Sequence, residues 1–445
     1  MAARTNNNMA GVNGYGIKAY PPSDVLREAL HQYSKERLST SERLARLKAE
    51  FNLEIKERKL YSLNKEFDVP SVRKPPPDDI ATQLVLDKVA EDIAQSNGTG
   101  TILTMLANEG FLLPRDFVRN VLAQYAPEGL ARRFPGANRI QRSSLSCLGP
   151  NHQYHGDGHE KMNAQALRMG GVALNIYGIK DQWSSFLLSL VVVPNDRDVD
   201  TVGHVYLDTI QKRMSASLVG FLSSRALILT RHVPITMVID KGTEIGYMFA
   251  YQTGMRSAYA PTLDSTHYPP FLQLKSVHNT PIEGLWHWFL KTFGVNLKVV
   301  VVSGYENGNY NPNNPVHPKL FYWLWPQIMQ IVLDRFVEYW NNHKIRKQSK
   351  KPNMSGSTPR HAFTVPALPA FDCGIEVDQP VIDALRNEIK KSREEVMMWP
   401  GVDAEFSRRA EHAYSMIGRP ELTALKGWEI FSAMLHHIPA EPRMM

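Results

Sequence analysis

Cysteine is nearly absent: 445 residues contain only Cys147 and Cys373. Two cysteines cannot build a disulfide framework or a Cys-rich zinc module, and they point to a reducing compartment, cytosol or nucleus. Long apolar runs are lacking too. The most apolar long stretch, Leu320 to Leu333, is too short to span a bilayer and holds Pro326 and two glutamines. The first residues, MAARTNNNMAGVNGYG, are polar and contain no apolar segment of the kind a secretory leader needs. A soluble chain with no membrane partner is expected. Nor is there an acidic excess: 51 Lys and Arg against 44 Asp and Glu leave a formal charge of +7 and a pI of about 9.1. That balance suits a polyanionic partner. Hydrophobic residues make up 43%, enough for packed cores, and the length suits about two or three domains.

Residues 1–20 are expected to be disordered. Over 21–74, Ser23 is placed to cap a helix with Leu26, Leu30 and Tyr33 on one face. Ser39 and Glu42 then have capping-box spacing ahead of Leu44, Leu47 and Phe51. Asn52 can turn the chain, and Lys56 to Phe67 carries Leu60, Leu63 and Phe67 inward. Short helix, tight turn, short helix is the helix-turn-helix pattern. Pro75, Pro76 and Pro77 break it. Residues 78–131 form a second helical, helix-turn-helix-like module. Val85, Val89 and Ile93 share a face, Asn97 and Gly98 make a turn, and Pro114 opens a helix with Phe117, Val118, Val121 and Leu122 inward. Two trihelical units are thus expected. Residues 132–150 are a basic linker. Arg132, Arg133, Arg139 and Arg142 stand there with no acid between the first and the last, suited to phosphates or simply to water.

From residue 151 the pattern changes. Strands are expected at Tyr154 to Asn163, Val172 to Ile179, Phe186 to Val193 and Pro234 to Ile239. Helices are expected at Asp200 to Arg213 and Thr280 to Phe293. This reads as an α/β domain with a mixed sheet over 151–300. Residues 301–363 hold an Asn- and Pro-dense loop, a long aromatic helix containing Pro326, and the basic tail KIRKQSKK. That tail reads as a nuclear localisation signal or as a helix end that touches DNA. Residues 364–445 form a helical C-terminal region in which Trp399, Trp428 and Phe431 pack as a cap.

Three acids stand out by position. Asp157 lies within a strand, Asp240 at a strand end, and Glu283 in the first turn of a helix. A carboxylate beside apolar strand residues is costly unless paired or bound to metal. Acids from separate elements can converge, and Mg²⁺ or Mn²⁺ is the natural partner for oxygen ligands. Two such ions serve in-line phosphoryl transfer. Acids at strand ends more often sit in surface ion pairs. His155, His159 and His278 lie near but lack zinc-ligand spacing, and each reads by default as an ordinary polar residue.

The segments GPNHQYHGDGHEKM, YGIKDQWS, VIDKGTE and HNTPIEGLW, then NPNNPVHP and EYWNNHKIRKQ, run in that order across roughly residues 145–363. Together they resemble the integrase core family found among fungal and plant proteins, within the retroviral integrase and DDE transposase superfamily. The resemblance implies a ribonuclease-H-like fold. It implies Asp157, Asp240 and Glu283 as catalytic, metal-binding acids with two Mg²⁺ (or Mn²⁺) ions, supported by Lys241, Glu244, His278 and Asn279. Upstream, GFLLPRDFVRNVL and the basic step into GPNH resemble the helix-turn-helix region preceding such cores. Lys56, Arg58, Lys59, Arg115 and Arg119 would then face DNA, joined by Arg132 and Arg133 of the linker and Lys344, Arg346 and Lys347 of the tail.

The implied activity is metal-dependent DNA nicking and strand transfer in the nucleus, by a homo-oligomer in analogy with relatives. A catalytically inactive DNA-binding protein derived from a transposable element is the alternative. A nuclease for RNA–DNA hybrids is a third reading. Three departures from the family stand: no His/Cys zinc module, a long apolar stretch from Lys212 to Val233, and Pro281 where a basic residue fits the pattern.

Overall fold

The structure, a computed structural model, describes residues 20–94, 96–126, 147–211, 232–240, 242, 244–274, 279–348 and 353–438, without the side chain of Glu160. The disorder expected before residue 20, the arginines of the linker, the stretch 212–231, Lys241 and His278 lie outside the described residues.

Helices α1 (Ser23–Lys35), α2 (Thr40–Phe51) and α3 (Glu57–Glu66) close around Leu30, Tyr33, Leu47 and Leu60. The capping box forms as expected: the Ser39 side chain accepts from Glu42 N, and Glu42 Oε2 accepts from Ser39 N at 2.7 Å. Asn52 ends α2 at φ +50°, the left-handed conformation Asn tolerates. Ser23 does not cap α1; Pro22 occupies that place and no side-chain bond forms. Helices α4 (Asp78–Glu91), α5 (Thr99–Asn108) and α6 (Arg115–Tyr125) pack around Val85, Ile102, Leu106 and Val118.

The α/β part runs β1 (Gln153–His159), α7 (Ala164–Leu167), β2 (Asn175–Asp181), β3 (Leu187–Val193), α8 (Val199–Gln211), β4 (His232–Val233), β5 (Thr236–Asp240), α9 (Gly246–Tyr259), β6 (Phe271–Leu274) and α10 (Thr280–Phe289). After it come α11 (Val295–Glu306), α12 (Val316–Asn342), α13 (Pro359–Thr364), β7 (Ile375–Glu376), α14 (Gln379–Glu388), α15 (Arg393–Val396), α16 (Ala404–Met416) and α17 (Gly427–Leu435). The main sheet has five strands in the order β3-β2-β1-β5-β6. β1 is antiparallel to β2, as β2 is to β3, whereas β1–β5 and β5–β6 are parallel. One face carries α10 and α12 over Ile176 and Leu190; the other carries α8 and α9 over Tyr177 and Ile179. Burial on both faces explains why FLLSLVVV is apolar nearly throughout.

Several boundaries differ from expectation. The first strand stops at His159, because Glu160–Met162 forms a 3₁₀ turn and Asn163 Oδ1 caps α7 through Ala166 N at 2.9 Å. The second begins only at Asn175, since Gly170 and Gly171, at φ +68° and +93°, turn the chain first. The helix expected to Phe293 leaves α-geometry at Leu290, and a π-helical turn over Leu290–Gly294 feeds it into α11. The expected core limit at 300 therefore falls inside a helix. The C-terminal region completes the same core, and Trp428 Nε1 donates to Val300 O at 2.7 Å. The basic tail is not a helix end. Its described residues, 344–348, are outside any helix and run beside residues 355–357, with Ile345 N donating to Ser357 O at 3.0 Å. Ile345 turns inward beside the Trp183 cluster, leaving Lys344, Arg346 and Lys347 exposed.

The edge strand β3 is sealed by amide side chains of α12. Gln330 accepts from Val192 N at 3.1 Å and donates to Leu190 O at 3.2 Å. Asn341 accepts from Leu187 N at 2.8 Å and donates to Leu187 O at 3.0 Å. The two side chains stand in for the missing neighbour strand. Among the described residues no helix is long and apolar enough to cross a membrane.

Candidate active site

The sheet register brings the two aspartates together. Gly156 of β1 pairs with Ile239 of the parallel strand β5, so the next residues, Asp157 and Asp240, stand side by side on the same face. They lie toward the carboxyl ends of parallel strands, where α/β sheets present ligand sites.

Glu283 reaches this corner through α10. It sits in the first turn, with Pro281 at the start of the helix as its fixed φ allows. Three residues later Trp286 faces the sheet, and its Nε1 donates to Asp157 Oδ2 at 2.9 Å. The indole fits because Gly178, the β2 partner of Asp157, has no Cβ; one added there would lie 2.7 Å from Trp286 Cη2. His159 stacks on the indole at 4.6 Å and 25°.

The start of α10 is fastened by buried polar groups. Asn279, 0% exposed, donates from Nδ2 to Gly156 O at 3.2 Å. Its Oδ1 lies 2.6 Å from His155 Nδ1, so that ring nitrogen is the donor. The other ring nitrogen meets the Gln182 side-chain amide. Lys180 Nζ donates to Pro281 O at 3.0 Å. Asn279 thus ties the helix of Glu283 to the strand of Asp157.

The corner is electrostatically unsettled. Burial, with the charges of Asp240 and Glu283, pushes Asp157 up from its usual 3.8 to about 7, against the opposing Trp286 N–H bond. Oδ1 of Asp240 is buried and accepts no hydrogen bond. An all-oxygen donor set with an orphaned carboxylate oxygen suits a hard divalent cation. Among the described residues, however, no group of three or more His, Cys, Asp or Glu is gathered so as to hold a metal ion as it stands. The three acids share a corner without being closed onto one point.

Other groups are now placed. Glu244 folds back over Gly242, where an added Cβ would lie 2.1 Å from its Oε1. Asp196, not among the expected site residues, follows β3, and its Oδ2 lies 2.8 Å from where a Gly158 Cβ would be. Burial and the Glu244 charge raise its pKa. Burial, and after it the charges of Asp157, Glu244, Asp196 and Asp240, raise the pKa of the buried Tyr177 hydroxyl and keep it protonated. The available signal for Asp196 was an acid just past the apolar run VVVP. His155 is bonded to two amides, and burial pushes His159 down to about 4, leaving it neutral.

Of the residues expected to face DNA, Lys56, Arg58, Lys59, Arg115, Arg119, Lys344, Arg346 and Lys347 are all exposed. Lys59 lies 5.6 Å over the Tyr20 ring. No protein-family model matches the chain, and no curated protein sequence matches it.

Proposed function

We propose that this chain is an integrase- or transposase-type polynucleotidyl transferase with a ribonuclease-H-like core, acting on DNA in the nucleus, in an oligomer of copies of this chain. The observation that carries the reading is the register of β1 on β5, which sets Asp157 beside Asp240, under the helix that bears Glu283. A mixed sheet whose central parallel strands hold both aspartates suits such a core.

Asp157, Asp240 and Glu283 would hold two Mg²⁺ or Mn²⁺ ions. Such a pair supplies activation of an attacking oxygen and stabilisation of the leaving one. The chain itself positions and grips. Trp286 orients Asp157 Oδ2, while Asn279, His155 and Lys180 hold the helix of Glu283 at a fixed distance from the sheet. Asp157 must shed its proton before it can ligate. The exposed lysines and arginines of α3, α6 and the tail grip phosphates. The tail also suits nuclear import.

The test is strand transfer with Mg²⁺ or Mn²⁺ on labelled duplex DNA. Joined products from wild type and none from Asp157→Asn support the reading; wild type no better than the variant ends it. One observation favours a DNA-binding role without catalysis: the acids are not closed onto a common point. DNA binding with no metal uptake dependent on Asp157 and Asp240 would select that role.

A further inference from the structure

All eight tryptophans fall among the described residues, and seven are buried or half-buried. Trp288 is 46% exposed, and it stands on α10, the helix of Glu283. Its indole presents a flat, amphipathic aromatic surface to solvent. Its helix places it informatively. Glu283, Gly284, His287, Trp288 and Lys291 form the exposed side of the helix and its π-helical extension, while Ile282, Leu285, Trp286 and Phe289 are buried.

Two further features identify the partner. Gly284 lies one turn before Trp288, on the same stripe, and a Cβ added there would meet nothing within 4 Å. The indole does not fill this step: none of its atoms lies within 4 Å of that position, so the step beside Glu283 stays open on the same stripe as the ring. The Lys291 ammonium lies 5.9 Å from the Trp288 ring centroid. A flat π-surface, an open step and a cation together match a nucleotide: base on indole, phosphate on ammonium.

We propose that Trp288 is a stacking platform for an unpaired base of DNA, seated over Gly284 next to Glu283. The substrate is then duplex DNA with a single-stranded or frayed end. This inference rests on the reading of the acidic corner as a DNA-processing site.

The test uses the full chain in EDTA, so that binding is read without chemistry. Affinity is measured by anisotropy for a blunt duplex and for the same duplex with a short single-stranded overhang. Wild type is expected to prefer the overhang. Trp288→Ala should weaken overhang binding roughly tenfold, the loss of one base–aromatic stack, and leave blunt binding nearly unchanged. Trp288→Phe should restore most of the preference. Gly284→Gln sets its Cβ where nothing lies within 4 Å, extends a side chain into the step and should mimic Trp288→Ala. Equal affinities of wild type and Trp288→Ala for both DNAs would overturn the stacking role while leaving the site reading intact. Binding of neither DNA by wild type would remove the site reading, and this inference with it.

Discussion

Glu36 and Asp157 are both carboxylates set against apolar cores, and the chain treats them in opposite ways. The Glu36 side chain is 0% exposed and lies 3.0 Å from Arg46 and 3.7 Å from Arg360. Thr358 donates to it at 3.5 Å. Arg46 also reaches Glu50 at 2.6 Å, and Glu50 accepts from the Tyr33 hydroxyl. Each charge in this cluster is answered by the chain itself, and the cluster locks α1 and α2 onto α13. Asp157 instead has two more acids for neighbours and is pushed up to about 7. An acid settled by counter-charges is scaffold; an acid pushed up by burial and like charges is a candidate functional group.

Substitution at the two corners should therefore give opposite results. Glu36→Gln leaves the half-buried Arg360 without its counter-charge and the buried Arg46 with Glu50 alone, and unfolding free energy should fall by about 3–5 kcal/mol in urea melts. Strand transfer per folded molecule should survive. Asp157→Asn should reduce strand transfer to background while the metal-free melting temperature holds or rises. A comparable loss of stability in both variants would erase the distinction. Neutral polar groups obey the same rule: Asn341→Leu unpairs both backbone groups of Leu187 and should cost about 1–3 kcal/mol, with added self-association through the β3 edge in sedimentation.

The pH dependence of metal-free stability gives a finer contrast. Asp157 is raised from 3.8 to about 7, so its contribution is full below 3.8 and is lost as pH rises through about 7. His159 is lowered from 6.5 to about 4, so its contribution is full above 6.5 and is lost as pH falls through about 4. Between those limits the two oppose each other. Melting temperatures of Asp157→Asn should rise more steeply from pH 4 to 6.5 than those of wild type. The smallest effect is expected from Trp286→Phe, which keeps a ring over Gly178 but removes the N–H bond that lowers Asp157. The acid limb of the pH–rate profile should then move to higher pH.

Much of this was legible in the sequence because it is local. The Ser39–Glu42 box, the turn at Asn52, the apolar strand before Val193 and the acids at strand and helix ends each depend on residues a few positions apart. What escaped is long-range or positional. Nothing near Gln330 or Asn341 announces that they close a strand more than a hundred residues earlier. Trp286 reads as one more buried aromatic until Gly178 is seen beneath it. The π-helical turn at Leu290–Gly294 keeps apolar residues inward, so periodicity alone runs through it. Composition reads the basic tail as a nuclear localisation signal or a helix end, whereas its alternation around Ile345 follows from packing against the Trp183 cluster.

The central claim is that Asp157, Asp240 and Glu283 share one cation site. Calorimetric titration of Mn²⁺ into the full chain without DNA tests it most directly. Saturable binding by wild type that is lost in each of Asp157→Asn, Asp240→Asn and Glu283→Gln is the predicted result. Binding that persists unchanged in all three, or is absent from wild type, would contradict it.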